Sequence, residues 1–242
     1  MTRLFHVSDV HFGAEDPTAI AWFDALVKAE RPDAVVMTGD LTMRARSKQF
    51  SAAAAWLQGL GVPVTVEVGN HDLPYFNPWK RFVTPYHRYQ VVERLAERPL
   101  KLDGIAIVPL KTTARVHWRL DWSKGHIAKS ALTATLDRIA KVPPGTTILI
   151  ACHHPLIESG THATARTRGA DAALRALAER GVSAILSGHV HDPFDIERDI
   201  DGHCIRMIGA GTLSERVRDT PPSFNEILVE QGALSVMPRV MA

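Results

Sequence analysis

Five short blocks concentrate acidic, amide and imidazole side chains: Ser8-Asp9-Val10-His11, Thr38-Gly39-Asp40, Gly69-Asn70-His71-Asp72, His153-His154-Pro155 and Gly188-His189-Val190-His191. Within them Asp9, His11, Asp40, Asn70, His153, His189 and His191 offer the hard or borderline O and N ligands that divalent cations take. Two such cations about 3.5–4 Å apart can clamp a phosphate and its attacking oxygen. Asp9 and His11 are two residues apart, so at a strand end they are expected to point the same way. Asp40 is suited to bridge both cations through its two carboxylate oxygens, and Asn70 offers a neutral oxygen. Gly39, Gly69 and Gly188 precede ligands and permit tight turns and close backbone approach.

Each block follows a segment that reads as a strand. Leu4 to Val7, Ala34 to Met37 and Val64 to Val68 are short β-rich runs. Between them, the spacing predicts helices over Ala19 to Glu30, capped by Thr18, and over Ser47 to Leu60, capped by Ser47 and stopped by Gly61. This βαβαβ order predicts an α/β fold, with a parallel sheet and helices on its faces. Further strands are predicted at Ile105 to Leu110, Thr146 to Cys152 and Ser183 to Gly188, with helices at Ser130 to Ala140 and after Gly169. Beyond Phe194 short strands alternate with turns. Ligands of open α/β sheets bind outside the carboxyl ends of the strands, so five strands would deliver these groups to one rim.

Two segments break the pattern. Residues 73–98, with Pro74, Pro78 and Pro85 and several aromatics, read as an irregular, cap-like insertion with short helices. Its aromatics are expected mostly to pack the cap. Residues 111–125 read as a loop on the same rim. Aromatic faces stack on a base or aryl ester and an Arg hydrogen-bonds phosphate, so Arg115 and Trp118 are the candidate substrate contacts.

Bulk composition bounds the classes. The 242 residues suit one domain spanning 1–242, and 45% hydrophobic with 22% charged residues is ordinary globular composition. A net charge of +2 provides little long-range attraction to a polyanion, so no tight nucleic-acid binding is expected. Asp9 and two histidines interrupt the N-terminus too early for a signal-peptide core, and no stretch has the apolar length of a membrane span. A cytoplasmic protein is expected, with Cys152 and Cys204 read as buried thiols in a reducing compartment, a bridge between them being the alternative. His6, inside a strand, reads as a core residue or a support for the ligands. His154 should point away from His153 if strand geometry continues.

The order D-x-H, G-D, G-N-H-D, His two before Pro, and G-H-x-H resembles the calcineurin-like metallophosphoesterase superfamily. It is most similar to the class III cyclic-nucleotide phosphodiesterase group. The resemblance runs from Asp9 to the late segment containing Arg216, Arg218 and Asn225. It implies a sandwich of mixed β-sheets flanked by helices, with a dinuclear site at the strand ends. It implies that Asp9, His11, Asp40 and His191 hold one metal and that Asp40, Asn70, His153 and His189 hold the other. The metals could be Mn, Fe, Zn or Co. It casts His71 as the catalytic residue that hydrogen-bonds phosphate and assists the leaving group, with Asp72 orienting it. The implied reaction is hydrolysis of phosphodiesters, cyclic nucleotides among them, by in-line attack of a metal-bound hydroxide. SbcCD-type nucleases and nucleotide pyrophosphatases or phosphomonoesterases are the alternatives within this chemistry, and a non-catalytic, metal-stabilised binding module is the alternative outside it.

Overall fold

Strand β1 (Thr2–Val7) shows how the layers arise. Side chains alternate across a strand, so Phe5 and Val7 enter one apolar cluster while Leu4 enters another. Strand β2 (Ala34–Met37) splits the same way: Val35 and Met37 join Phe5, and Ala34 and Val36 join Leu4. A strand apolar on both faces must be covered on both. The computed structural model, which describes residues 1–74, 77–96, 100–114, 123–161 and 167–242, shows what covers them.

The Phe5 face lies against helices α1 (Pro17–Glu30) and α2 (Ser47–Gly59), through Phe23, Val27, Phe50, Ala53 and Leu57. The Leu4 face lies against a second sheet, through Leu149, Ala151, Ala184, Leu186 and Ile208. The sequence pattern anticipated helices on the faces of the first sheet. Helices cover only one face, because a second apolar sheet competes for the other.

The first sheet also contains β3 (Val64–Val66), β9 (Ser223–Glu230) and β10 (Ala233–Val240), in the order β10-β9-β1-β2-β3. The second contains β4 (Ile105–Pro109), β5 (Thr147–Ala151), β6 (Val182–Ser187), β7 (Phe194–Ile200) and β8 (His203–Gly209), in the order β4-β5-β6-β8-β7. Each sheet is mixed: β1-β2-β3 and β4-β5-β6-β8 are parallel, whereas β7, β9 and β10 pair antiparallel with their neighbours. Helices α5 (Lys129–Ile139) and α6 (Ala170–Ala178) cover the outer face of the second sheet through Ile139, Ala173, Leu174 and Leu177. The result is a four-layer α/β/β/α sandwich.

The 73–98 segment holds helices α3 (Pro78–Val83) and α4 (His87–Ala96). Tyr89, Val92 and Ala96 of α4 join the first core, and Tyr89 Oη donates to Val66 O at 2.5 Å. Trp79 and Phe82 of α3 are exposed, while Tyr86 packs partly buried against the first core. Tyr75 and Phe76 lie outside the described residues.

Local details differ from the sequence expectations for identifiable reasons. Helix α1 starts two residues earlier than expected. Asp16 rather than Thr18 is its cap, accepting from Thr18 N and Ala19 N, while Pro17 supplies a preset first turn. Ser47 lies inside α2, and Gln49 Oε1 reaches back to Arg44 N and Arg46 N. Cys204 is exposed and only Cys152 is buried; both are free thiols. Among the described residues no helix is long and apolar enough to cross a membrane.

The cap assignment has a direct test. Asp16→Ala should lower unfolding free energy by about 1 kcal/mol, whereas Thr18→Ala should change it by less than about 0.5 kcal/mol. Urea unfolding of the two variants measures both; the reverse order would return the cap to Thr18.

Candidate metal centre

Five strand ends meet at one buried cluster. Asp9 and His11 follow β1, Asp40 follows β2, Asn70 and His71 follow β3, His153 follows β5, and His189 and His191 follow β6. The backbone there is unusual. Among the described residues nine non-glycine positions have positive φ, and five of them are Asp9 (56°), His11 (51°), Asp40 (52°), His189 (72°) and His191 (66°). Left-handed backbone at a non-glycine residue costs of order 1–3 kcal/mol and persists only where surroundings over-determine it. Asp9 and His11 therefore reach the cluster through left-handed turns beyond the strand, not through the pleat.

Both carboxylates are clamped in the same way. Asp9 Oδ2 accepts His189 N–H at 2.8 Å, and Asp40 Oδ1 accepts His71 N–H at 2.8 Å. Their second oxygens face inward. Asp9 Oδ1 is buried without a hydrogen-bond partner, 3.2 Å from His191 Nε2 and 3.6 Å from His11 Nε2. Asp40 Oδ2 lies 3.4 Å from His153 Nε2 and 3.8 Å from His11 Nε2. The sequence reading had Asp40 bridging through both oxygens; here one oxygen faces both imidazoles and the other is committed to the backbone.

The imidazoles are held from behind. His153 Nδ1–H donates to Thr38 O at 2.9 Å, and His191 Nδ1–H donates to Arg216 O at 2.6 Å. Each bond leaves the Nε2 lone pair aimed inward, the arrangement that prepares a histidine for a metal. His153 Nε2 then faces Asn70 Oδ1 at 3.0 Å, and His11 Nε2 faces His191 Nε2 at 3.2 Å. With His153 neutral, its Nε2 and Asn70 Oδ1 are two acceptors facing each other, which a cation between them would satisfy. Asp9, His11 and His191, and likewise Asp9, Asp40 and His153, have ligand atoms close enough to share one ion. The donor set fits divalent cations.

Charge in the cluster follows the same logic. Burial alone would depress His153, but the Asp40 charge and hydrogen bond outweigh it and raise the imidazole to about 9. A cation taking its place would expel that proton. His189, buried and beside His153, falls to about 3.

His154 departs from the expectation that it points away. Its ring centroid lies 4.7 Å from that of His153 and 4.6 Å from that of His189. Both of its nitrogens are occupied, however: the Thr112 hydroxyl donates to Nδ1 at 2.9 Å and Nε2–H donates to Ser123 O at 3.0 Å. It walls the cluster without a lone pair to offer.

Asp72 does not orient His71. Its carboxylate accepts from the N–H groups of Leu41, Thr42 and Gly69 and from the Thr42 hydroxyl, tying the β2 and β3 loops together. Met43 O instead fixes His71, accepting from Nδ1–H at 2.8 Å. His71 Nε2 meets Arg216 Nη1 at 3.2 Å. Arg216 thus supports His191 with its carbonyl and meets His71 with its guanidinium. Sequence inspection placed Arg216 in a late, family-like stretch but did not link it to either histidine. Arg115 and Trp118, the candidate substrate contacts, lie outside the described residues, as do His117 and Trp122.

His6 sits behind the cluster. Asn225 Nδ2 donates to its Nδ1 at 3.3 Å, so its Nε2–H points to Thr38 Oγ1 at 3.0 Å, on the residue whose carbonyl holds His153. Burial lowers its pKa to about 3. Between pH 3 and the ordinary histidine value of about 6.5 the unfolded chain binds the extra proton, so stability falls as pH drops through that window. His6→Gln should flatten part of this slope in urea unfolding between about pH 4 and 7. An unchanged slope would mean that His6 is protonated in the folded state.

Two glycines are required by space. At Gly39 (φ +102°) an added Cβ would lie 2.7 Å from His153 Nδ1. At Gly188 it would meet the Ser8 hydroxyl and Asp9 Oδ2, displacing a carboxylate that the cluster needs. Gly188→Ala should therefore lower bound metal, measured by elemental analysis, and cost about 1–3 kcal/mol in unfolding. Asp40→Asn should remove much of the metal with the fold retained. Full metal content in both variants would refute the ligand geometry.

Residues 2–193 match the family described as calcineurin-like phosphoesterase. A cAMP/cGMP dual specificity phosphodiesterase of Mycobacterium tuberculosis is 30% identical over 213 residues, covering 78% of this chain and 61% of that protein. A probable cyclic nucleotide phosphodiesterase of Rhodopseudomonas palustris is 24% identical, covering 95% of this chain and 89% of that one. The chain spans under two thirds of the length of the mycobacterial relative. A dimetal phosphatase from Danio rerio superposes with TM-score 0.72 at 15% identity over 99% of this chain and 96% of that one, which shows the shared fold. The chain belongs to the calcineurin-like phosphoesterase family.

Proposed function

We propose that this protein hydrolyses phosphodiesters, cyclic nucleotides among them, with two divalent cations held by Asp9, His11, Asp40 and His191 on one side and Asp40, Asn70, His153 and His189 on the other. The observation that carries the reading is the inward Asp40 Oδ2, set between His153 Nε2 at 3.4 Å and His11 Nε2 at 3.8 Å. One buried carboxylate oxygen facing the Nε2 atoms of two imidazoles suits a ligand shared between two ions. The names of the mycobacterial and Rhodopseudomonas relatives support diesters as the substrate class. Bound cations would supply Lewis acidity at the phosphoryl oxygens and lower the pKa of water.

The chain's own residues do the rest. Attack of water on phosphorus releases a proton from the water and breaks the bond to the leaving oxygen, which takes up a proton in turn. His71, with Nδ1–H fixed on Met43 O, presents Nε2 as the atom that exchanges that proton. Arg216, beside Nε2 at 3.2 Å, is placed to hydrogen-bond a non-bridging phosphate oxygen once substrate separates the pair. Arg115 and Trp118 remain proposed contacts for the ester group. Small phosphate esters are the proposed substrates, rather than long nucleic acids.

Metal-reconstituted protein should turn over bis(p-nitrophenyl) phosphate, and the absence of turnover with Mn, Fe, Zn and Co would sink the reading. His71→Ala should keep its metal and lose rate by about 10²–10⁴-fold on diesters with alkyl leaving groups, but much less with p-nitrophenolate. Equal losses across leaving groups would remove the leaving-group role. A phosphoesterase inactive on every diester but active on monoesters would move the assignment to a phosphomonoesterase.

A further inference from the structure

The loop that fixes His71 continues into a basic cleft. Met43, whose carbonyl accepts from His71 Nδ1–H, is followed directly by Arg44, Ala45 and Arg46. These three form one wall of a cavity of about 360 Å³, and Pro74, Asn77, Lys80 and Arg88 complete it. Among the described residues seven line the cleft; four of these are cationic and none is acidic. The whole chain carries 28 Lys and Arg against 26 Asp and Glu, so this is a local concentration and not a reflection of overall charge. Arg46 and Lys80 are exposed, while Arg88 is half-buried and donates to Ala45 O at 2.6 Å. That bond ties α4 to the 43–46 loop and holds the cleft's shape.

The cleft is also close to the chemistry. Arg44 is the next residue after Met43, and Pro74 is three residues beyond His71, a reach of at most about 11 Å of chain. A smaller adjoining cavity shares Ala45, Pro74, Lys80 and Arg88 and reaches Asp72, the residue next to His71. A volume of a few hundred Å³ suits a nucleotide-sized fragment. Arginine forks and lysine ammonium groups are the donors that phosphate recruits.

From this cavity and its charge we propose that the cleft formed by Arg44, Arg46, Lys80 and Arg88 binds a second phosphate group, on the leaving-group side of the diester. The preferred substrate is then a short phosphodiester bearing a further phosphate, such as a terminally phosphorylated dinucleotide. This rests on the phosphodiesterase reading and deepens it. It is compatible with weak binding of long polyanions, because one cleft recruits one or two phosphates and gives a shallow salt dependence.

The test compares thymidylyl-thymidine with the same dinucleotide phosphorylated at both ends. Both are linked by a phosphorothioate so that turnover does not obscure binding. Calorimetry on the metal-reconstituted wild type should show the phosphorylated probe binding about tenfold or more tightly, with the preference shrinking at high salt. Arg46→Glu combined with Lys80→Glu should abolish the preference, and the milder Arg46→Gln with Lys80→Gln should reduce it. Both pairs should keep turnover of bis(p-nitrophenyl) phosphate, which has no second phosphate. Equal affinity of the wild type for the two probes, or an equal loss of both probes in the variants, overturns the proposal. If the Glu pair does not fold, the Gln pair decides. Failure of the wild type to hydrolyse bis(p-nitrophenyl) phosphate sinks the phosphoesterase reading, and the calorimetric comparison still judges the cleft by itself.

Discussion

Two buried carboxylates govern this molecule. Asp9 and Asp40 are almost wholly removed from water. An unpaired buried charge is among the costliest things a fold can contain, so both need compensation from every direction. Each receives a backbone N–H on one oxygen, from His189 and His71 respectively, and leaves the other facing imidazoles. That half-satisfied state keeps negative charge concentrated at one point. A divalent cation is the natural complement of that charge and of the imidazole nitrogens turned towards it.

The backbone is bent to meet that demand. Five residues of the cluster take left-handed conformations, which strands and helices do not supply. Such strain is tolerated because the layers around it are rigid: helices cover one face of the first sheet, and a second sheet fills the other. The parallel strands β1 to β3 and β5 to β6 bring their carboxyl ends to one place, and five of the nine left-handed non-glycine residues among the described ones lie there. Gly39 and Gly188 mark the points where one loop passes against another with no room for a side chain.

Support for the cluster comes from outside it. Thr38 O and Arg216 O select the tautomers of His153 and His191, and Met43 O selects that of His71. His6 and Asn225 brace Thr38 from the far side. Arg216 serves twice, since its carbonyl and its guanidinium meet different histidines. Replacing the Arg216 side chain would remove the contact with His71 and leave the carbonyl that holds His191.

Much of this was legible in the sequence. The alternation of short strands and helices, and the residue types placed just after the strands, determine the α/β class and the chemistry of the rim, because both depend on local pattern and on which donor atoms are present. The residues Asp9, His11, Asp40, Asn70, His189 and His191 could be named as candidates for that reason, and the family resemblance chose His153 over His154. Which atom of each residue faces inward could not. His11 and His191 are 180 residues apart and Arg216 and His71 are 145 apart, so their meeting depends on how two sheets stack and where the last strands return. The same holds for His154, whose nitrogens are taken by Thr112 and Ser123, and for Asp72, which binds backbone rather than His71. Sequence determined the inventory of groups and their order along the chain; tertiary structure alone decided their partners, because a hydrogen bond is set by distance and direction in space.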